Sequence, residues 1–250
     1  MLAKLSVSIL LWLTAAGFSG AASAETPTTV LVTGANRGIG LELVRQFRAR
    51  GYQVIGTARN IETAKELAET GATLVQLDVT DSDSVRAMAE KLKGEKIDLL
   101  INNAGIQGHT AQSFAETDFD QVITTFDVNS LGPMRVTQAL LPNLMAGSGK
   151  TVVQISSTMG SIANNGGGYY GYRASKSALN MLNKSLALEL ADLGITSIVM
   201  HPGWVQTRMG GENAAITTQD SVAGMIIVID ALEPGDSGRF LDYQGKELPW

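Results

Sequence analysis

Tyr172 and Lys176 stand four residues apart at the head of a run that is apolar at Ala178, Leu179, Met181, Leu182, Leu186, Leu188 and Leu190. On a helix, residues i and i+4 share a face, so this phenol and this ammonium are predicted to enter one cleft. A free tyrosine has a pKa of roughly 10 and a lysine of about 10.4. A fixed cation beside a phenol favours the phenolate and lowers its pKa, which suits a group that gives and takes a proton near neutral pH. An isolated Tyr-x-x-x-Lys is usually a boundary tyrosine and a solvated lysine. The remaining chemistry-bearing residues decide between these readings.

They fall where strands end. Thr33-Gly34-Ala35-Asn36-Arg37-Gly38-Ile39-Gly40 follows the first apolar run and opens a helical pattern. Glycine admits backbone conformations barred to other residues and lets a ligand approach closely, and a helix start offers unpaired N–H groups to a pyrophosphate. In that context the loop predicts a dinucleotide site rather than a tight turn alone. The second strand closes on Ala58-Arg59 with no acidic residue for ribose hydroxyls, and Arg37 is near it in the Gly-rich loop. Two guanidinium groups suit a 2'-phosphate, so NADP(H) is preferred over NAD(H). Asp78-Val79 ends the third strand, where Asp78 either reaches an adenine edge or caps the helix near Ser82. Asn102-Asn103-Ala104-Gly105 ends the fourth, supplying amides and close-approach backbone, or simply a turn. Asn129 lies among Phe126, Val128 and Leu131, where an asparagine disturbs helix bonding. Ser156-Ser157 ends the fifth strand, and His201-Pro202-Gly203-Trp204-Val205-Gln206-Thr207 ends the sixth. His201 reads as a packed strand-end residue.

The elements that must position these residues alternate. Strands are predicted at Thr29–Thr33, Gln53–Ala58, Thr73–Leu77, Leu99–Asn102, Thr151–Ser156, Thr196–Met200 and Arg239–Leu241. Helices are predicted near Ile39–Arg50, Ile61–Thr70, Ser82–Leu92, a long one within Ser113–Asn143, Tyr172–Leu193 and Thr218–Leu232. Such alternation describes an α/β fold, a Rossmann-type doubly wound parallel sheet of about seven strands. No repeat or linker interrupts it, so residues 25–250 are read as a single domain.

Composition narrows the functions. Net charge is -5 and no basic arm is present, which argues against a nucleic-acid partner held by phosphate neutralisation. There is no cysteine, hence no disulfide or thiolate metal site, and the two histidines, His109 and His201, lack ligand spacing. Residues 1–24 differ from the rest: Lys4, an apolar run from Leu5 to Phe18, then Ala22-Ser23-Ala24 before Glu25. They read as a signal peptide cleaved after Ala24, implying a periplasmic or secreted protein. The alternatives are an uncleaved membrane anchor, since Leu5 to Ala24 approaches the roughly 20 residues that span a bilayer, or a cytoplasmic protein.

Together, Thr33 to Gly40, Asn102 to Gly105, Asn129, Ser157, Tyr172 with Lys176, and Pro202-Gly203 resemble the ordered motifs of the short-chain dehydrogenase/reductases. The Tyr172 to Asn180 run and the tail from Phe240 to Trp250 resemble the C-factor and sniffer-type carbonyl reductases within that family. The resemblance implies an NADP(H)-dependent oxidoreductase acting on a small carbonyl or alcohol, with NAD(H) as the lesser cofactor. It implies Tyr172 as general acid and base, and Lys176 as the residue that binds the nicotinamide ribose and depresses the tyrosine pKa. Ser157 would hold the substrate oxygen, Asn129 a water in a proton relay, and Val205 and Thr207 the nicotinamide carboxamide. It also implies a homodimer or homotetramer built on the outer faces of the two long helices. The chain departs from the family in two places. An Asn/Gly-rich insertion, Asn164 to Gly168, lengthens the Ser157 to Tyr172 segment and leaves Ser156 a second candidate. A secretory leader is at odds with a nicotinamide cofactor, which favours as an alternative an exported binding or signalling module. The short Arg208 to Gln219 stretch predicts an open pocket with little lid.

Overall fold

The computed structural model describes residues 28–108, 110 and 113–250; the expected leader and His109 lie outside these residues. Seven parallel strands form one sheet in the order β3-β2-β1-β4-β5-β6-β7. They are β1 (Thr29–Val32), β2 (Gln53–Ala58), β3 (Thr73–Gln76), β4 (Leu99–Asn102), β5 (Thr151–Ile155), β6 (Thr196–His201) and β7 (Phe240–Asp242). The central strands are covered on both faces, which is why runs such as Thr-Val-Leu-Val in β1 and Leu-Leu-Ile-Asn in β4 are almost continuously apolar. On one face α1 (Gly38–Ala49) and α8 (Thr218–Asp230) bury Leu43, Val44, Phe47, Val222 and Met225 against the sheet. On the other, α3 (Ser82–Lys91), α5 (Gly132–Ala139), α6 (Leu141–Ala146) and α7 (Tyr170–Ala191) contribute to a second core with Met88, Val136, Leu144 and Leu190.

Two expectations are corrected. The helix expected over Ile61–Thr70 shrinks to α2 (Lys65–Ala68), because the Asn60 side chain accepts the N–H groups of Glu62 and Thr63 and turns the chain first. The long helix expected within Ser113–Asn143 is broken into α4 (Phe119–Phe126), a π-helical turn at Asp127–Leu131, α5 and α6. Pro133 and Pro142 lack the N–H that would continue the ladder, and Asp118, capping α4 through the N–H groups of Asp120 and Gln121, sets its start.

The sheet order reverses direction between β1 and β4, the place where open α/β sheets take ligands beyond the strand carboxyl ends. Asn103 closes that place. Its amide donates to the carbonyls of Thr33 and Gly34 at 2.9 and 3.2 Å, and the Thr33 hydroxyl accepts the N–H groups of Asn103 and Ala104. A Cβ on Gly34 would lie 2.8 Å from the Ala104 Cα, and one on Gly40 would lie 2.4 Å from the Gly34 carbonyl oxygen. These two glycines therefore serve the seam between the β1 loop and the end of β4.

Candidate active site

A cleft of about 2200 Å³ runs along the carboxyl ends of the strands. Its walls include Gly34, Asn36, Arg37, Gly38, Ile39, Gly40, Arg59, Asp78, Val79, Asn103, Ala104 and Gly105 towards β1 to β4. Ser157, Tyr172, Lys176, Pro202, Gly203, Val205 and Thr207 line it as well. Of the site residues read from sequence, Asn129 is the one set behind the wall, fully buried.

At the β2 and β3 end the chemistry is cationic. Arg37 and Arg59 are exposed, and among the described residues neither forms an ion pair, whereas neighbouring Arg45 pairs with Glu66 at 3.1 Å. The first turn of α1 carries no acidic side chain, so its partial positive end faces the cleft uncompensated. Asp78 does not cap α3; Asp81 does, accepting the Asp83 N–H. Burial opposes ionisation of Asp78, yet the Thr80 hydroxyl and N–H and the Arg59 charge outweigh it and hold the carboxyl below its usual range.

At the β5 end, three side chains converge. Ser157 and Tyr172 face the same cleft, the Ser157 side chain favouring the ionised phenol, and the Ser157 oxygen accepts the Met159 N–H at 3.1 Å. The Lys176 ammonium lies 5.9 Å from the Tyr172 ring centre and donates to the Ile155 carbonyl at 2.8 Å. Burial lowers Lys176 to about 8. The tyrosine departs from expectation: burial raises the phenol above its ordinary value, and the neighbouring Ser157 hydroxyl offsets this only in part. The cation is present, but it is itself desolvated and turned onto a backbone carbonyl, so the protein alone does not depress the phenol. The two serines differ in their partners. Ser156 donates to the Asn180 side chain at 2.6 Å, and Asn180 in turn donates to the Gly160 carbonyl, which places Ser156 in the packing of α7.

Asn129 supports this group from behind. Its amide donates to the Ile106 carbonyl (2.8 Å) and the Ser175 hydroxyl (3.0 Å), and its oxygen accepts the Ile106 N–H. Ser175 passes the link on by donating to the Tyr172 carbonyl at 2.8 Å. Because Pro133 has no N–H, the helix bond it would give to the Asn129 carbonyl four residues earlier is missing. Sequence reasoning overlooked Ser175, although its place three residues after Tyr172 put it within reach of that turn. Asn102 to Gly105 reads in the sequence as supplying amides and close-approach backbone or as simply a turn; the Asn102 amide donates to the Thr137 hydroxyl and the Asn103 amide to the β1 loop. His201, as expected, is a strand-end residue; burial lowers it to about 4 against the pull of Asp242. From Trp204 to Thr217 the chain forms a tied loop with no helix, Gln206 and Ile216 exchanging backbone bonds with Ile216 and Trp204.

Comparison with known proteins agrees with this geometry. The short chain dehydrogenase family matches residues 28–217. The C-signal protein of Myxococcus xanthus is 47% identical over 167 residues, 66% of this chain and 100% of that protein. The NADPH-bound carbonyl reductase from chicken fatty liver superposes with a TM-score of 0.83 at 36% identity, covering 90% of this chain and 99% of that one. The carbonyl reductase Sniffer of D. melanogaster gives 0.85 at 31% identity over 90% and 100% of the two chains.

Proposed function

The chain belongs to the short-chain dehydrogenase/reductase family, and from that premise we propose that it is an NADP(H)-dependent reductase of small carbonyl compounds with Tyr172 as the proton donor. The observation that carries this reading is the convergence of Ser157, Tyr172 and Lys176 in the same cleft as Arg37 and Arg59, which form no ion pair among the described residues. The residues fit the cofactor. Arg37 and Arg59 would hold a 2'-phosphate, the start of α1 the pyrophosphate, and Lys176 the nicotinamide ribose. When bound, the nicotinamide supplies or accepts the hydride.

The chain's own residues do the rest. The Ser157 and Tyr172 hydroxyls together hold the substrate oxygen, and both bonds strengthen as negative charge gathers there. Tyr172 gives its proton to that oxygen during reduction and takes it back during oxidation. Lys176, still protonated at neutral pH, faces the phenolate that this leaves, and the cation steadies it. Asn129 keeps Tyr172 and the Ile106 backbone in register through Ser175, and its main-chain carbonyl, which lacks a donor from Pro133, is the acceptor for a water that returns a proton. The test is consumption of NADPH and of NADH with benzaldehyde by the full chain. NADPH should support a rate at least ten-fold higher; equal rates, or no turnover of any aldehyde, would overturn the proposal.

Two further parts of the reading concern the whole chain. Residues 1–24 act as an export leader, tested by N-terminal sequencing of the protein from fractionated cells. Cleavage after Ala24 supports it, and an intact cytoplasmic chain contradicts it. Pairing of two copies through α4 and α7 is supported by Ile123, Met181 and Leu188, which are 66%, 68% and 72% exposed on those helices. Light scattering of Leu188→Glu should then report a monomer.

A further inference from the structure

Resting on the carbonyl-reductase reading, we infer that Tyr169 is a specificity-determining residue, its ring forming a wall of the substrate end of the cleft. The backbone is the first observation. Tyr169 sits at φ 48 and ψ 42, left-handed, and Lys150 is the only other non-glycine residue with positive φ among the described residues. The residues just before it, Gly167 and Gly168, are also left-handed, at φ 81 and 63, so the chain uses glycine where this conformation is wanted for its own sake. At the third position a tyrosine stands, a bulky residue for which this conformation is costly. Tyr169 stands at the N-cap of α7 and lends the helix its carbonyl, but its side chain makes no bond to the helix N–H groups. Its phenol has no hydrogen-bond partner among the described residues, and the side chain is half-buried in the cleft wall, three positions before Tyr172.

The strained conformation persists because the loop around it is held at several points. Arg173 accounts for two of them, its backbone N–H donating to the Tyr169 carbonyl at 2.9 Å and its guanidinium to the Gly167 carbonyl at 3.0 Å. Asn165 accepts the Gly167 N–H at 2.9 Å. At the far end, the Ala163 N–H and the Ser161 hydroxyl both donate to the Trp250 main-chain oxygen, at 2.9 and 3.1 Å. Trp250 is fixed in turn by stacking on Phe240, ring centres 5.5 Å apart. The insertion between Ser157 and Tyr172 thus works as a bracket that presents one aromatic ring to the substrate end. Strain kept by surrounding structure, at a side chain that makes no capping bond, points to function.

The experiment compares the wild type with Tyr169→Gly and Tyr169→Phe in the full chain. It reads thermal stability, NADPH affinity by fluorescence titration, and kcat/KM for benzaldehyde and for propanal. Tyr169→Gly should melt higher, since glycine relieves the left-handed strain, and should keep its NADPH affinity. Its kcat/KM should fall at least ten-fold for benzaldehyde, which fills the wall, and less than about two-fold for propanal, which does not. Tyr169→Phe keeps the ring and should stay within two-fold of wild type on both. Equal losses on the two aldehydes, no loss on benzaldehyde, or a Phe variant as impaired as the Gly variant would each overturn the inference while leaving the parent reading intact. A wild type that reduces neither aldehyde defeats the parent reading, and this one with it.

Discussion

Ser156 and Ser157 are adjacent in sequence, and their hydroxyls have opposite duties. Ser157→Ala should lower kcat by about 10²–10³-fold with NADPH affinity unchanged, the range found when one donor to a developing oxyanion is removed. Ser156→Ala leaves the Asn180 oxygen without its donor and should appear chiefly as lost stability, of about 1–3 kcal/mol. Steady-state kinetics beside urea melts separates the two. Lys176 carries a pH prediction. Its folded value of about 8 lies below the ordinary 10.5, so between these pH values the unfolded chain binds more protons than the folded one. Stability contributed here is therefore absent below about pH 8 and rises with pH across that window. Lys176→Met should remove this slope in denaturation series and, by removing a buried charge, stabilise the protein at neutral pH by roughly 1–3 kcal/mol. That Tyr172 and Lys176 share a cleft was readable from spacing, because helical geometry places i and i+4 together, while their chemistry was read from the ordered motifs around them. The duties of Ser156 and Asn103 were not, since each depends on a partner far along the chain, Asn180 in one case and Thr33 in the other.

At the scale of elements, the strands and the loops after them were readable for a common reason. A parallel strand buried on both faces leaves a short apolar run, and ligand loops follow it with Gly, Asn and Arg. The breaks between Ser113 and Asn143 were harder to read. The π turn stands just before Pro133, whose missing N–H interrupts the i to i−4 ladder, and apolar periodicity does not register it. The shortened α2 has the same origin in the Asn60 turn. The Gly-rich loop was recognised, but part of its purpose was not. Gly40 faces the Gly34 carbonyl and the Asn103 amide, with no room for a methyl group between them. Gly40→Ala should therefore destabilise the protein by about 1–3 kcal/mol in urea and weaken NADPH binding as the seam opens. Unchanged stability would show that the seam yields freely.

For the whole molecule, the division of labour follows the sheet. Its β2 and β3 side supplies the cationic end of the cleft, its β5 and β6 side the proton-handling groups, and both meet at the reversal between β1 and β4. Acid sensitivity is a property of this whole. His201 is held at about 4 by burial, below its ordinary 6.5, so the unfolded chain takes up a proton that the folded chain refuses between those values. Stability should fall as pH drops from 6.5 towards 4, and His201→Phe should flatten that stretch of the denaturation profile. The central claim is that one cleft binds NADPH and moves a proton through Tyr172. The most direct measurement is benzaldehyde reduction by Tyr172→Phe, with NADPH affinity measured on the same sample. Turnover reduced by at least about 10³-fold, with affinity within two-fold of wild type, is the predicted result. A Phe variant that reduces the aldehyde at the wild-type rate would contradict the account.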